Sequence, residues 1–273
     1  MILSILDQAL ITLPLLIGAY ITISLLKFPD FSIESAYLFG AVMACTTADL
    51  GLSAIIVSAM VGGALVGAIV STLNQCLKLP FLLAAIITNG FFHGLTQYVL
   101  NTPLKTFHPP AMPSEHLLFA LAGICLIGII GASLRSRLGY SLAIYGNNPL
   151  FFQHHPTSGR YVTFFGMMVG HACAGIGGLF FALSNGFVDL TMNAGVILLC
   201  LTALILGKFL IRTNRPNILT PLVGLVAYFC VQQTLIYVGL DLKYFNFFQA
   251  LFILGALCCF QKKKALSLDH LGV

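Results

Sequence analysis

LSAIIVSAMVGGALVGAIVSTLN, residues 52–74, runs from end to end without a charged side chain. A helix needs about 20 mainly apolar residues to cross the hydrocarbon core of a bilayer, so this stretch reads as a transmembrane helix. Working outward, comparable apolar runs separated by polar breaks occupy 5–26, 32–48, 80–100, 115–133, 161–183, 193–211, 217–239 and 245–260. The run at 32–48 is short and interrupted, as a broken or re-entrant helix would be. The sequence therefore predicts an all-α, polytopic transmembrane bundle of eight or nine membrane segments, forming one domain over 1–273. Composition agrees. The chain is 59% hydrophobic and only 8% charged, where soluble domains carry roughly 25% charged residues. So few charges cannot cover so apolar a core, and lipid must cover it instead.

Charge placement orients the bundle. If the C-terminal cluster Lys262, Lys263 and Lys264 is cytoplasmic and each run crosses once, then Lys27, Lys78, Arg135, Arg137, Arg160, Lys208, Arg212 and Arg215 fall on the same side. Only Lys105 and Lys243 fall outside. That asymmetry is the positive-inside pattern. It predicts a main external loop at 101–114 and a long cytoplasmic loop at 134–160. The net charge of +5 thus belongs to span ends, not to nucleic-acid binding. The N-terminus lacks a cationic start and is read as a retained first span.

Enzyme motifs are missing. There is no HExxH, GxSxG or phosphate-binding loop, and no closely spaced carboxylate pair among the eight acidic residues. The eight cysteines lie in or beside apolar runs without a CxxC pair, as small buried hydrophobes do. No catalytic or metal-binding residue is assigned, and no cofactor is expected in this chain. An energy source would have to come from a partner. No internal repeat is legible by eye. Gly63 with Gly67, and Ala174 with Gly178, make small-residue steps suited to close helix packing in lipid.

Three constellations stand out. Asn89, His93 and Gln97 recur at i, i+4 and i+8, which puts them on one face of the fourth run. Polar side chains at membrane depth face a bundle interior or a wet cavity. The stripe reads as the lining of a solute pathway or as a set of interhelical hydrogen bonds. His171 stands alone among small residues and reads as a packed, hydrogen-bonded histidine. The second constellation is Phe28-Pro29-Asp30, where proline removes a donor and disfavours helix at the residue before it. Asp30 or Ser32 would then cap the next helix, with Glu34 near its positive end. This reads as a broken-helix element or as a tight turn. The third is Gly146-Asn147-Asn148-Pro149-Leu150-Phe151-Phe152 in the cytoplasmic loop. An Asn cap, Pro149 at the first helical position and Pro156 as a stop predict a short helix over 147–155. Its apolar side chains would dock a partner or lie on the membrane.

Together these segments resemble a known group. Phe28-Pro29-Asp30-Phe31-Ser32 with Leu38-Phe39-Gly40-Ala41, Leu138-Gly139-Tyr140-Ser141-Leu142 with Gly146-Asn147-Asn148-Pro149, and Gly177 to Leu183 with Asn185 to Leu190 appear in the order and spacing of one group of importer permeases. These are the ATP-binding-cassette (ABC) permeases of the uncharacterised and tryptophan-type group, related to the branched-chain amino acid and ribose permeases. The resemblance implies a type II importer permease in a bacterial inner membrane, carrying a small organic solute such as an aromatic or branched amino acid. It implies a second permease subunit, most simply a homodimer, ATP-binding subunits that hold ATP and Mg, and an extracytoplasmic solute-binding protein. Gly146 to Phe152 would then be the ATPase coupling surface. The sequence departs from the group after Pro149, where Phe151, Phe152, Gln153, His154 and His155 replace small residues. The rival readings are a secondary transporter working alone and, from another class, a membrane-embedded enzyme or scaffold.

Overall fold

The computed structural model describes residues 2–107, 115–153, 158–211, 216–241 and 244–269. Pro109, Pro110, Pro113, His154, His155, Pro156, Arg212, Arg215 and Lys243 lie outside the described residues. The helices are α1 Ile2–Ala19, α2 Ile33–Thr46, α3 Leu52–Cys76, α4 Phe81–Leu100, α5 Glu115–Arg135, α6 Arg137–Asn147, α7 Gly159–Asn185, α8 Val196–Leu210, α9 Leu219–Tyr237 and α10 Phe245–Asp269. A π-helical turn, Tyr20–Leu25, continues α1, and a 3₁₀ turn, Pro149–Gln153, follows α6. Two short antiparallel strands, β1 Leu104–Thr106 and β2 Phe187–Asp189, pair between the ends of α4 and α7. The stretch 101–114, read as a loop, thus contains a strand.

Among the described residues four helical segments are long and apolar enough to cross a membrane, Ser4–Leu25, Leu52–Cys76, Gly159–Asn185 and Leu219–Tyr237, or five if the bent pair Phe119–Arg135 and Arg137–Asn147 forms one span. The stretch 32–48, read as a broken or re-entrant helix, and the expected crossing at 193–211 both hold helices shorter than a full span. Helix α2 has 14 residues and α8 has 15, about 21 and 22 Å at 1.5 Å per residue, where a crossing needs about 30 Å. Neither spans alone, and the two are called half-length helices. The connecting segment 134–160 holds α6, bent 67° from α5.

Helix α7 is the centre, and backbone proximity makes it so. A Cβ added at Gly63 of α3 would strike the carbonyl oxygen of His171, and one at Gly178 of α7 would strike that of Tyr37 in α2. Only glycine lets these backbones meet. Gly67 likewise abuts the Met167 carbonyl, so the Gly63/Gly67 step seen in the sequence is the α3–α7 contact itself. Helix α1 runs antiparallel to α7: Leu26 lies against Gly166, Gly170 against Gly18, and Gly177 against Leu15.

An internal repeat emerges that the sequence did not disclose. After α1 the chain reads Phe28-Pro29-Asp30-Phe31-Ser32, and after α7 it reads Phe187-Val188-Asp189-Leu190-Thr191. Each follows a left-handed residue, Lys27 at φ 58° and Gly186 at φ 73°. In each the aspartate Oδ1 accepts the N–H two residues on, at 3.0 Å from Ser32 and 2.8 Å from Thr191. Each leads to a half-length helix and then a longer one. Because α1 and α7 are antiparallel, the two units have opposite sense, an arrangement transporters use to place half-helix ends at mid-depth. The shared signature is five residues long with three differences, too weak to notice without the geometry.

Gly63→Leu and Gly178→Leu are expected to abolish a monodisperse peak in detergent size-exclusion, since overpacking costs ~1–3 kcal/mol even where the site can relax. Gly90→Leu and Gly94→Leu, where no atom lies within 4 Å of the added carbon, are expected to leave the peak intact.

Candidate functional site

Buried polar groups gather where α1 gives way to α2. Lys27 adopts the left-handed conformation and residues 28–31 leave the helix, with Pro29 lacking an N–H to orphan. Phe28 stacks on Phe81 of α4 at 4.2 Å and meets Tyr145 of α6 edge-on at 6.2 Å. Asp30 is fully buried, and its Oδ1 accepts both the N–H of Ser32 at 3.0 Å and its hydroxyl at 2.6 Å. The Ser32 hydroxyl lies 2.9 Å from Nε2 of His171, and Asp30 Oδ2 lies 3.4 Å from the same nitrogen. Nδ1 of His171 donates to the Met167 carbonyl at 2.8 Å. His171 is thus the packed, hydrogen-bonded histidine that its surroundings suggested. It is also the partner of the broken-helix element, which the sequence did not indicate.

His171 is close to the midpoint of α7, so α2 begins near mid-depth. Glu34 lies in the first turn of α2, as expected, and it also serves a second helix. Its Oε1 accepts the N–H of Ile197 at 3.1 Å, capping the N-terminus of α8. The N-terminal ends of the two half-length helices therefore meet through one carboxylate. They diverge from there: α2 ends beside the β1–β2 ribbon, with Cys45 Sγ 4.0 Å from the Thr106 carbonyl, and Lys208 near the end of α8 lies within electrostatic range of Lys27.

The three stripe residues share a side of α4, but they are not equivalent. Asn89 is half-buried and accepts a hydrogen bond from Ser35 of α2. His93 and Gln97 are exposed on the outer surface of the chain, their side chains 3.5 Å apart. The inward face of α4 is instead Phe81, Ala85, Thr88, Phe92 and Thr96. A pathway touching the whole stripe would therefore run along the outside of this chain, not through its middle.

The coupling segment is also altered. Asn147 ends α6, Asn148 is its C-cap, and the predicted helix over 147–155 is a 3₁₀ turn at Pro149–Gln153. The α6 cap is Ser136, whose hydroxyl accepts the Leu138 N–H at 3.3 Å. The asparagines were read as a helix start because α6 was not legible ahead of them. Leu150 and Phe151 are 64% and 45% exposed, but Phe152 is only 8% exposed and packs on Tyr145 at 5.8 Å. Phe152 is therefore an internal anchor and not part of a free surface. Gly146 abuts the Leu25 carbonyl, and Lys27 Nζ donates to the Asn147 side chain. The loop is thereby fastened to the break.

Residues 1–257 match the family described as the permease component of branched-chain amino acid transport systems, and the chain belongs to that family. It is a multi-pass membrane permease, the component of a transport system. An uncharacterized protein of Rickettsia prowazekii (strain Madrid E) is 28% identical over 249 residues, covering 86% of this chain and 89% of that protein. A tyrosine transport system permease protein of Clostridioides difficile (strain R20291) is 26% identical over 218 residues, covering 77% and 74%. No solved structure matches.

His171→Leu strands the buried Asp30 and Ser32. Orphaning such a group costs ~1–3 kcal/mol, while replacing both partners is milder. Asp30→Ala and His171→Leu are each expected to lower the melting temperature in detergent by several degrees, and the double variant to lose less than their sum. Strict additivity would show that the two side chains do not act as a unit.

Proposed function

We propose that this permease is the membrane-spanning subunit of an ABC importer for an amino acid, in a bacterial inner membrane. Two copies face each other across a pathway lined by Asn89, His93 and Gln97, two ATP-binding subunits dock on the Gly146–Phe151 surface, and an extracytoplasmic binding protein delivers the solute. The observation that carries the reading is the fastening of that surface to the break: Asn147 to Lys27, Gly146 to Leu25, and Tyr145 to Phe28. A displacement of the loop is then passed to the chain segment that starts α2, and Ser35 of α2 holds Asn89. ATP binding elsewhere would shift the population between two arrangements of this unit, as differential affinity requires. The exposed position of His93 and Gln97 supports a pathway shared between two copies. An aromatic amino acid is the first solute to test, because one relative carries the name of a tyrosine permease.

A second reading has one observation in its favour. Asp30 and His171 form a buried ionisable pair near mid-depth, and such pairs serve ion coupling in secondary transporters. The two readings separate cleanly. The tagged full chain is purified from its native membrane and the whole preparation reconstituted. The importer reading expects a co-purifying ATP-binding subunit and tyrosine uptake that requires ATP. Uptake by the lone chain, driven by a proton gradient, would establish the other. Within the importer, Phe151→Ala is expected to weaken retention of the ATP-binding subunit about tenfold or more, since aromatic anchors commonly cost ~2 kcal/mol when truncated. His93→Leu is expected to cut uptake with normal membrane insertion. Phe152→Ala is expected to lower the yield of folded chain instead.

A further inference from the structure

The bend between α5 and α6 opens a cavity that plays no part in the arrangement above. Two features create the bend. Ser136 breaks the helix and caps α6, and Gly139 has no side chain to collide with the Leu134 backbone against which it lies. The 67° turn swings α6 away from the axis of α5 and leaves a wedge in front of α7. A void of about 310 Å³ fills that wedge, walled by residues such as Ile21, Leu134, Leu142, Val162, Phe165 and Val169. This is at the lower end of the size of small-ligand sites. Its walls are almost wholly apolar, so water gains few partners there, and an apolar cavity takes up apolar ligands. Several of its lining or rim residues, Leu138, Tyr161, Phe165 and Val169, are exposed on the outside of the chain. The cavity thus opens sideways toward the hydrocarbon.

Three cations adjoin the lining residues in the chain. Arg135 and Arg137 flank the bend, adjoining the lining residues Leu134 and Leu138, and Arg160 adjoins the lining residue Tyr161 at the start of α7. All three are exposed, and among the described residues none has a carboxylate partner. Three unneutralised guanidinium groups beside a laterally open apolar slot match the two halves of one kind of molecule. An acyl chain fits the slot, and an anionic phosphate fits the arginines, which bind phosphate with a planar fork of donors. Basic pockets between membrane helices bind acidic lipid head groups on these grounds.

We propose that the α5–α6 bend is a binding site for an anionic phospholipid, with one acyl chain in the cavity and the head group on Arg135, Arg137 and Arg160. The bound lipid fills the space between α6, which leads to the coupling segment, and α7, around which the bundle is built. Lipid occupancy would therefore set how firmly α6 is held.

The test uses the full chain in a neutral detergent, incubated with an equimolar mixture of phosphatidylglycerol and phosphatidylcholine and read by native mass spectrometry. The expected result is a retained phosphatidylglycerol adduct in preference to phosphatidylcholine. The surface double variant Arg135→Gln/Arg137→Gln should reduce that preference about fivefold or more, given what each cation near a membrane surface contributes. Val162→Phe, which grows into the cavity from its wall, should reduce retention of both lipids. Val169→Trp does the same from the open side and covers the case that Val162→Phe does not fold. Equal retention of the two lipids by the unaltered chain would overturn the proposal. So would undiminished retention in a folded cavity-filling variant, which would place the lipid on the arginines alone.

Discussion

In a bilayer, a chain that leaves helical geometry must satisfy its polar groups within the protein. Residues 27–32 meet much of this requirement at the heart of the bundle, leaving Asp30 Oδ2 with only the His171 ring at 3.4 Å, and much of the architecture follows from it. The turn held by Asp30 occupies the Ser32 N–H, Pro29 has no N–H to satisfy, and His171 closes the cluster from α7. The cluster forms only because glycines let α1, α2 and α3 lie backbone to backbone against α7. In that sense Gly63 and Gly178 are as much a part of the buried polar site as Asp30 itself.

The break gives the molecule two half-length helices whose N-termini meet at Glu34. Each end offers unpaired N–H groups and the positive end of a helix dipole. One carboxylate on α2 serves the start of α8, so the two repeats are joined at the point where both are weakest. The same break is fastened toward the opposite end by Lys27 and Phe28, which hold the end of α6 and the start of α4. These contacts form one connected set, with the end of α6 at one side and Asn89 at the other.

The helical, membrane-spanning character was legible in the sequence because it rests on composition and run length, which local chemistry fixes. Pro29 and Asp30 were legible as a break for the same reason. The shortness of α2 was legible as well, because 32–48 is interrupted; that of α8 was not. An apolar run of seventeen or so residues looks alike whether helix fills it or extended chain begins it, and only contact with the midpoint of α7 decides. His93 and Gln97 share a face by spacing alone, but spacing cannot say whether that face looks into the chain or out of it. Phe152 was read as exposed because its loop was read as exposed. Tyr145, seven residues earlier and across a turn, is what covers it. Ser32 and His171 are far apart in sequence, and no local pattern pairs them.

In the proposed importer the end of α1 and the end of α6, tied through Lys27 and Asn147, move together. The direct measurement replaces their natural tie with a removable one. Lys27→Cys and Asn147→Cys are introduced together in a cysteine-free background, reconstituted with the rest of the transport system, and joined by a short bis-methanethiosulfonate, whose two disulfides are reducible. Uptake is followed before cross-linking, after it, and after reduction. Weak uptake is expected before cross-linking, recovery when the two ends are joined, and loss again on reduction. Uptake that is normal without the tie, or that stops when the ends are joined, would contradict it.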